Sequence, residues 1–524
     1  MQRVEKKFWV DKLADEVASK FPGRSIQRTE NGVGASGIPH IGSISDAVRS
    51  YGVKLALQER GFKAEHVAFS DDKDGLRKVP KGFPEEFAKF IGMPVTSVPD
   101  PFSCHASYGD HMSSLLLDAL DRLGIQYTFM SGSRVYRSGQ FEKEIKLILE
   151  HSDLVGRIIL EETGQDKYTK TLPYLPVCEN CGRIYTTTAV SYDFRTNAVL
   201  YECSGGEIAG KWVTGCGYRG ARKLSEGEGK LPWKAEFSVR WAALGISFEA
   251  YGKELTDSVA TNDRICKEVL GKEPPVHTKY ELFISKSGRK LSKSSGEVVT
   301  HTEWLRYGSP ASLLLLMFKR FEGAREVGIE DVPVYMNELD QLEDIYFGRQ
   351  KTDNDASDKV SLYRYSYLLR TPPEPSLHPP YSLLVYLNKI AVGDAATFVF
   401  EKLRAYGYIP ATDYQRADLR KRIEYAANWV KDFGTIEVAV KIDEEERKII
   451  ATVLPLLEVA YDENGYQQAV YTTARKLGIE PKKAFRSLYK ALLGSEVGPK
   501  LGPYIRAMGK DTVLVRLKSA LGEG

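Results

Sequence analysis

Apolar residues near the start of the chain recur at two alternating periods. Trp9, Val10, Leu13, Val17 and Phe21 fall at helical spacing, and Ile41, Ile44, Val48, Tyr51 and Leu55 repeat that spacing up to a stop at Gly61. Ser25 to Glu30 and Ala64 to Ser70 read as short strands on either side of the second helix, which predicts a β-α-β unit with its crevice at the strand C-termini. A helix running to Leu123 and a strand-like Tyr280 to Ser285 extend the pattern. The expected fold class is therefore α/β, a doubly wound parallel sheet over residues 1–300, with a core drawn from 1–75, most of 112–171 and 226–300. Beyond it, the apolar run Leu313 to Phe318 and the pattern Asp340 to Tyr346 predict a helical connector over 301–348. Residues 349–380 begin polar and end with Pro372, Pro373, Pro375, Pro379 and Pro380, which reads as a linker. Tyr381 to Ala391, Ala417 to Val430, Glu444 to Tyr461 and Ala469 to Leu477 then predict an all-α domain over 381–524, without a repeat.

Composition adds exclusions. With 524 residues, 42% apolar and 27% charged, the chain is neither fibrous, disordered nor a small disulfide-stapled domain. Leu313 to Phe318, the longest aliphatic run, is far short of the roughly 20 residues of a membrane span. The first residues lack the apolar core and cleavage site of a signal peptide, so a cytoplasmic protein without membrane attachment is expected. Net charge is +3, but residues 470–524 carry 11 Lys and Arg against 4 Asp and Glu. That asymmetry suits either a polyanion partner or a solvated basic helix.

Six cysteines in such a chain point to metal or catalysis rather than disulfides. Cys178-Glu179-Asn180-Cys181-Gly182 is a metal knuckle, and Cys203 and Cys216 can complete a four-thiolate zinc site, although twelve residues separate them. Gly182, Gly205, Gly206, Gly215, Gly217 and Gly220 leave segment 172–225 little core of its own, so metal has to replace it. A second constellation, within the insertion 95–111, gathers Asp100, Cys104, His105 and His111. Zinc accepts that mixture, but Asp100 opening a turn before Pro101 and His111 in a helix's first turn account for the spacing equally well.

Two further segments carry chemistry. Asn31-Gly32-Val33-Gly34-Ala35-Ser36-Gly37-Ile38-Pro39-His40-Ile41-Gly42-Ser43 is a glycine-containing loop that places His40 at an expected helix N-terminus, where backbone N–H groups favour phosphate. Far downstream, Lys286-Ser287-Gly288-Arg289-Lys290-Leu291-Ser292-Lys293-Ser294-Ser295-Gly296 packs four cations and no acid into its first eight residues. Such a loop can close over a triphosphate or form a solvated basic turn.

Taken together, His40-Ile41-Gly42-Ser43 resembles the "HIGH" signature and Lys290-Leu291-Ser292-Lys293-Ser294 the "KMSKS" signature of class I aminoacyl-tRNA synthetases, at opposite ends of a Rossmann-type core. Asp71-Asp72-Lys73-Asp74-Gly75-Leu76-Arg77-Lys78-Val79-Pro80, Pro99-Asp100-Pro101-Phe102, Leu231-Pro232-Trp233-Lys234 and Asn262-Asp263-Arg264-Ile265 extend the likeness to the class I lysyl-tRNA synthetases. The resemblance implies an enzyme that activates L-lysine with ATP and Mg²⁺ and transfers it to tRNA(Lys). Catalytic roles are implied for His40, Gly42, Ser43, Lys290, Ser292, Lys293 and Ser294, with His40, Gly42 and Lys293 on ATP. It also implies Gly32, Gly34, Trp233 and Tyr280 around the lysine, one or two Zn²⁺ sites at the two clusters, and an anticodon-binding C-terminal domain. In that domain Lys482 to Tyr504 interleaves basic residues with Phe485, Tyr489 and Tyr504, which suits single-stranded bases.

A lysine ammonium group needs a carboxylate, and Glu30 is the first candidate, followed by Asp71 and Asp72, all of which could instead cap turns. The chain departs from the family in three places. Ser43 replaces the last His of the signature, Leu291 replaces Met, and Leu255 stands where the family has a ligand-contacting His. Two rivals remain open on sequence: a class I synthetase for another amino acid, and a non-catalytic tRNA-binding relative.

Overall fold

The computed structural model describes residues 7–35, 37–79, 83–281, 283–284, 299–319, 323–351, 356–391, 393–434, 442–494, 496 and 498–522. The chain divides into two compact units. The first comprises Met1–His301, Leu316–Gly328 and Arg364–Leu369; the second comprises Thr302–Leu315, Ile329–Tyr363 and Arg370–Gly524.

The first unit is built on five parallel strands ordered Val276–Tyr280, Ile246–Gly252, Gln27–Val33, Ala64–Ser70, Thr128–Ser131. The chain winds outward from Gln27–Val33 in one direction and later returns to its other side, so the expected doubly wound sheet is present. Strand order reverses between Gln27–Val33 and Ile246–Gly252, which leaves a crevice at their C-terminal ends. The helix Ser45–Glu59 buries Val48, Tyr51 and Leu55 as its apolar stripe predicts. It is also covered on its other sides, since Arg49 and Lys54 are buried and lie over the rings of Tyr280 and Tyr51.

The cysteine segment forms a three-stranded antiparallel sheet, Thr188–Asp193, Ala198–Glu202 and Arg219–Lys223, and a hairpin, Gly205–Ile208 with Lys211–Thr214. Ala189, Tyr192, Val199 and Leu224 pack into the main core of the first unit, so this segment borrows much of its burial from its host.

The second unit is helical. Its helices include Val332–Tyr346, Tyr381–Lys389, Asp413–Phe433, Glu444–Val459, Glu463–Leu477, Pro481–Leu493 and Leu501–Met508. Two begin earlier than their apolar pattern predicts because polar caps start them: Thr412 accepts from the Gln415 N–H, and Asp462 from the Gly465 N–H. The stretch 349–380 differs from the expected linker. It contains the helix Ala356–Ser366, and its proline-rich part is anchored where the Ser376 N–H and His378 Nε2 meet Glu343 Oε1 at 2.5 and 2.7 Å. Sequence shows the prolines but not that buried carboxylate. No helix among the described residues is long and apolar enough to cross a membrane.

Candidate active site

A cavity of about 330 Å³ occupies the crevice where strand order reverses. Gly32, Gly34, His40, Gly42 and Ser43 line it, together with Trp233, Tyr251, Leu255 and Tyr280. Three segments that the sequence joined only by resemblance, the loop after the first strand, Trp233 and Tyr280, thus share one cavity. The basic loop with Lys290, Ser292, Lys293 and Ser294 lies outside the described residues.

His40 stands one turn before the helix rather than at its first residue, because that helix begins at Ser45. The intervening turn is closed by the Ser43 N–H donating to the His40 carbonyl (2.7 Å) and the His40 N–H donating to Ser43 Oγ (3.3 Å). The Ile41 N–H donates instead to the Val299 carbonyl at 3.0 Å, which keeps this turn out of helical register. Gly42 makes room for the ring of His40: a Cβ on Gly42 would lie 2.8 Å from the imidazole.

Gly32 serves a neighbour in the same way, since a Cβ there would meet Arg240 Nη2 at 2.7 Å. Arg240, only 1% exposed, reaches from the helix Trp233–Leu244 into three carboxylates. Its Nε pairs with Glu30, its Nη1 lies 3.2 Å from Asp71 Oδ1, and its Nη2 lies 3.2 Å from Glu249 Oε1. Trp241 Nε1 donates to the other Glu249 oxygen at 2.5 Å. Burial pushes the Asp71 carboxyl up to about 7 against the pull of Arg240, and pushes Glu30 well above the usual carboxylate range against the same pull. Burial also raises Asp46 to about 8.

This geometry sorts the three acids considered from sequence. Glu30 is fully buried against Arg240 and does not line the cavity. Asp72 accepts the Ser133 N–H at 2.7 Å, in the first turn of the helix Gly132–Arg137, and so serves that helix end. Asp71 lines the cavity, as do Asp46, Glu249 and Glu254, which sequence reasoning missed. A signal existed for Arg240 and Glu249: each is the one charge inside a mostly apolar run, Phe237 to Leu244 and Ile246 to Ala250. A second buried ion cluster braces the walls. Lys230, 2% exposed, contacts Asp74 and lies 2.7 Å from Glu236 Oε2, tying the Asp71 loop to the Trp233 helix.

Both metal constellations assemble. Cys178 and Cys216 sulfurs are 3.6 Å apart, those of Cys181 and Cys203 are 3.7 Å apart, and all four lie within 4.8 Å of one another. The hairpin explains the long Cys203–Cys216 spacing, because its two strands carry the chain out and back. In the mixed cluster, Cys104 Sγ lies 3.2 Å from His105 Nδ1 and from His111 Nδ1, and Asp100 Oδ1 lies 3.4 Å from His111 Nδ1. Asp100 also accepts the Phe102, Cys104 and His105 N–H groups, and His111 sits in the first turn of Tyr108–Arg122. The turn and the cluster therefore coexist. Zn–N of about 2.0–2.1 Å and Zn–S of about 2.3 Å place tetrahedral donors roughly 3.3–3.8 Å apart, so both donor sets fit zinc.

The model described as tRNA synthetases class I (K) matches residues 7–368, and that described as an anticodon binding domain matches residues 419–521. The chain belongs to the class I (K) tRNA synthetases. It is 42% identical to a lysine–tRNA ligase of Cenarchaeum symbiosum strain A over 98% of each chain. A second lysine–tRNA ligase of Cenarchaeum symbiosum is 41% identical over 99% of this chain and 100% of its own. One from Rickettsia typhi is 31% identical over 95% of this chain and 94% of its own.

In the second unit of the synthetase, Tyr504 is fully buried, so it is no platform for a base. Phe485 packs on Tyr471 and Tyr489, and the Tyr489 hydroxyl donates to the Pro499 carbonyl. The basic residues lie elsewhere on the same helix: Lys482 and Arg486 line a cavity of about 480 Å³ whose walls mix amides (Asn337, Gln341, Gln350) and cations with the acids Asp340, Asp344 and Glu496. Lys482 is exposed, and Arg486 pairs with Glu496.

Proposed function

We propose that the chain activates L-lysine with ATP and transfers the lysyl group to tRNA(Lys), as a cytoplasmic enzyme of translation. One observation supports this choice of amino acid above the rest: the cavity is lined by Asp46, Asp71, Glu249 and Glu254, with Arg240 already engaged by three carboxylates. Such a wall attracts a side chain ending in an ammonium group and rejects acidic ones. Leu255, Val259 and Phe237 supply apolar surface for the methylene stem.

In the first step a lysine carboxylate oxygen attacks the α-phosphorus of ATP in line, and the bond to the pyrophosphate oxygen breaks. Mg²⁺, when bound with ATP, neutralises phosphate charge. His40 and Gly42 sit against the nucleotide, and the Ser43 hydroxyl makes a neutral contact where the family signature has a cation. Lys290 and Lys293, with Ser292 and Ser294 in their loop, offset charge on the departing pyrophosphate. Gly32, Gly34, Trp233 and Tyr280 hold the amino acid. In the second step a ribose hydroxyl of the terminal adenosine of tRNA takes the lysyl group and AMP leaves. No protein nucleophile is needed. Zinc at Cys178, Cys181, Cys203 and Cys216 and at Asp100, Cys104, His105 and His111 has a structural role. The second-unit cavity, where Lys351 and Lys482 stand beside the amides of Asn337, Gln341 and Gln350, holds part of the tRNA anticodon.

Pyrophosphate exchange into ATP, run with each amino acid in turn, tests this reading. Exchange with lysine alone is expected. Exchange with a different amino acid, or none at all, refutes it.

A further inference from the structure

The Arg240 cluster carries more negative charge than its own cations offset. Glu30 from the first strand, Asp71 from the end of the second and Glu249 from Ile246–Gly252 all touch the one guanidinium. Other charges facing them do not close the gap. Glu236 adds a carboxylate from the Arg240 helix, and Lys230 is shared between it and Asp74. From the helix Ser45–Glu59, Asp46 adds an acid and Arg49 a cation that stacks on Tyr280. From the last strand, His277 meets the Glu249 carbonyl at 3.4 Å while its Nε2 faces Asp263. A buried group of this kind has two ways to approach neutrality: it binds protons, or it binds another cation.

We propose that Asp71 and Glu249 form the ammonium subsite for lysine, that the trio around Arg240 holds a proton while that subsite is empty, and that lysine binding expels this proton to solvent. This rests on the reading of the cavity as the lysine site and deepens it. In each molecule that carries the proton the exchange is balanced: one ammonium charge enters, one proton leaves, and the net charge of the cluster is the same before and after. A proton-linked subsite discriminates against uncharged isosteres, because a ligand that brings no cation leaves the proton in place.

The group that supplies the proton faces the cavity, since Asp71 lines it and Glu30 does not. Burial raises Asp71 to about 7 while the subsite is empty, which favours its protonated form there, and an ammonium group beside it pulls that value back down. Titration calorimetry of L-lysine into the full chain, at pH 7.0 in phosphate and in Tris, reads the released protons from the difference in apparent enthalpy. Net proton release on lysine binding is expected at pH 7.0, falling toward zero as pH rises and Asp71 ionises before lysine arrives. In Asp71→Asn the release should fall by at least half and the lysine KM rise 10-fold or more, with the KM for ATP unchanged. A proton lost from the α-amine of lysine would persist in that variant, so unaltered release overturns the proposal. Lysine binding with no buffer dependence in the wild-type chain also overturns it, while leaving lysine activation standing. Absence of any lysine binding overturns both. The wild-type pH series needs no variant to fold.

Discussion

Replacing Arg240 by Met tests the electrostatic architecture most directly. The side chain is 1% exposed and touches Glu30, Asp71 and Glu249, which are themselves 0%, 6% and 8% exposed. Removing one partner of a buried ion network leaves uncompensated charge, at a cost of about 3–5 kcal/mol. With a urea dependence of ~2–3 kcal/mol per molar, that lowers the unfolding midpoint of the first unit by roughly 1–2.5 M. The sign of the pH dependence follows from the carboxyls. Without the guanidinium their folded-state values rise further above those of the unfolded chain, so the folded state binds more protons, and its stability falls as pH rises from about 4 through the raised values. The deficit relative to wild type should therefore be smallest near pH 5 and largest near pH 8, measured by urea unfolding at each pH. A midpoint shift below about 0.3 M, or a deficit that grows as pH falls, would refute the account of Arg240 as the cation holding three buried carboxylates together.

Lys293→Ala should slow lysine-dependent pyrophosphate exchange by orders of magnitude and leave tRNA affinity nearly unchanged; equal loss of both would assign the loop to binding. Metal analysis of the purified chain should find two zinc ions, with Cys203→Ser and His111→Ala each losing one. Loss of both ions in either variant would contradict two independent sites. Lys482→Ala combined with Arg486→Ala should raise the KM for tRNA(Lys) several-fold with exchange intact, and unchanged aminoacylation kinetics would remove the second-unit cavity from tRNA recognition.

The order of motifs and the short-range periodicities were enough to establish the doubly wound sheet, the helical second unit and both metal constellations, because ligand type, glycine placement and helical or strand period are local properties. Even the turn at Asp100 and the cluster that includes it were both legible from spacing, though not that they coexist. The long Cys203–Cys216 interval became intelligible only with the hairpin inside it. The charged wall of the cavity was the least legible part. Asp46, Asp71, Arg240 and Glu249 come from four elements separated along the chain, and a charge in an apolar run says that it has a partner without saying which. Glu30 illustrates the limit: its position at a strand end marked it for the ligand, and Arg240 took it instead. Residue types and their periods determined which chemistry the chain carries; parallel pairing of distant strands decided which charges share the low-dielectric space where that chemistry is set, since Coulombic energies depend on distance in space and not in sequence.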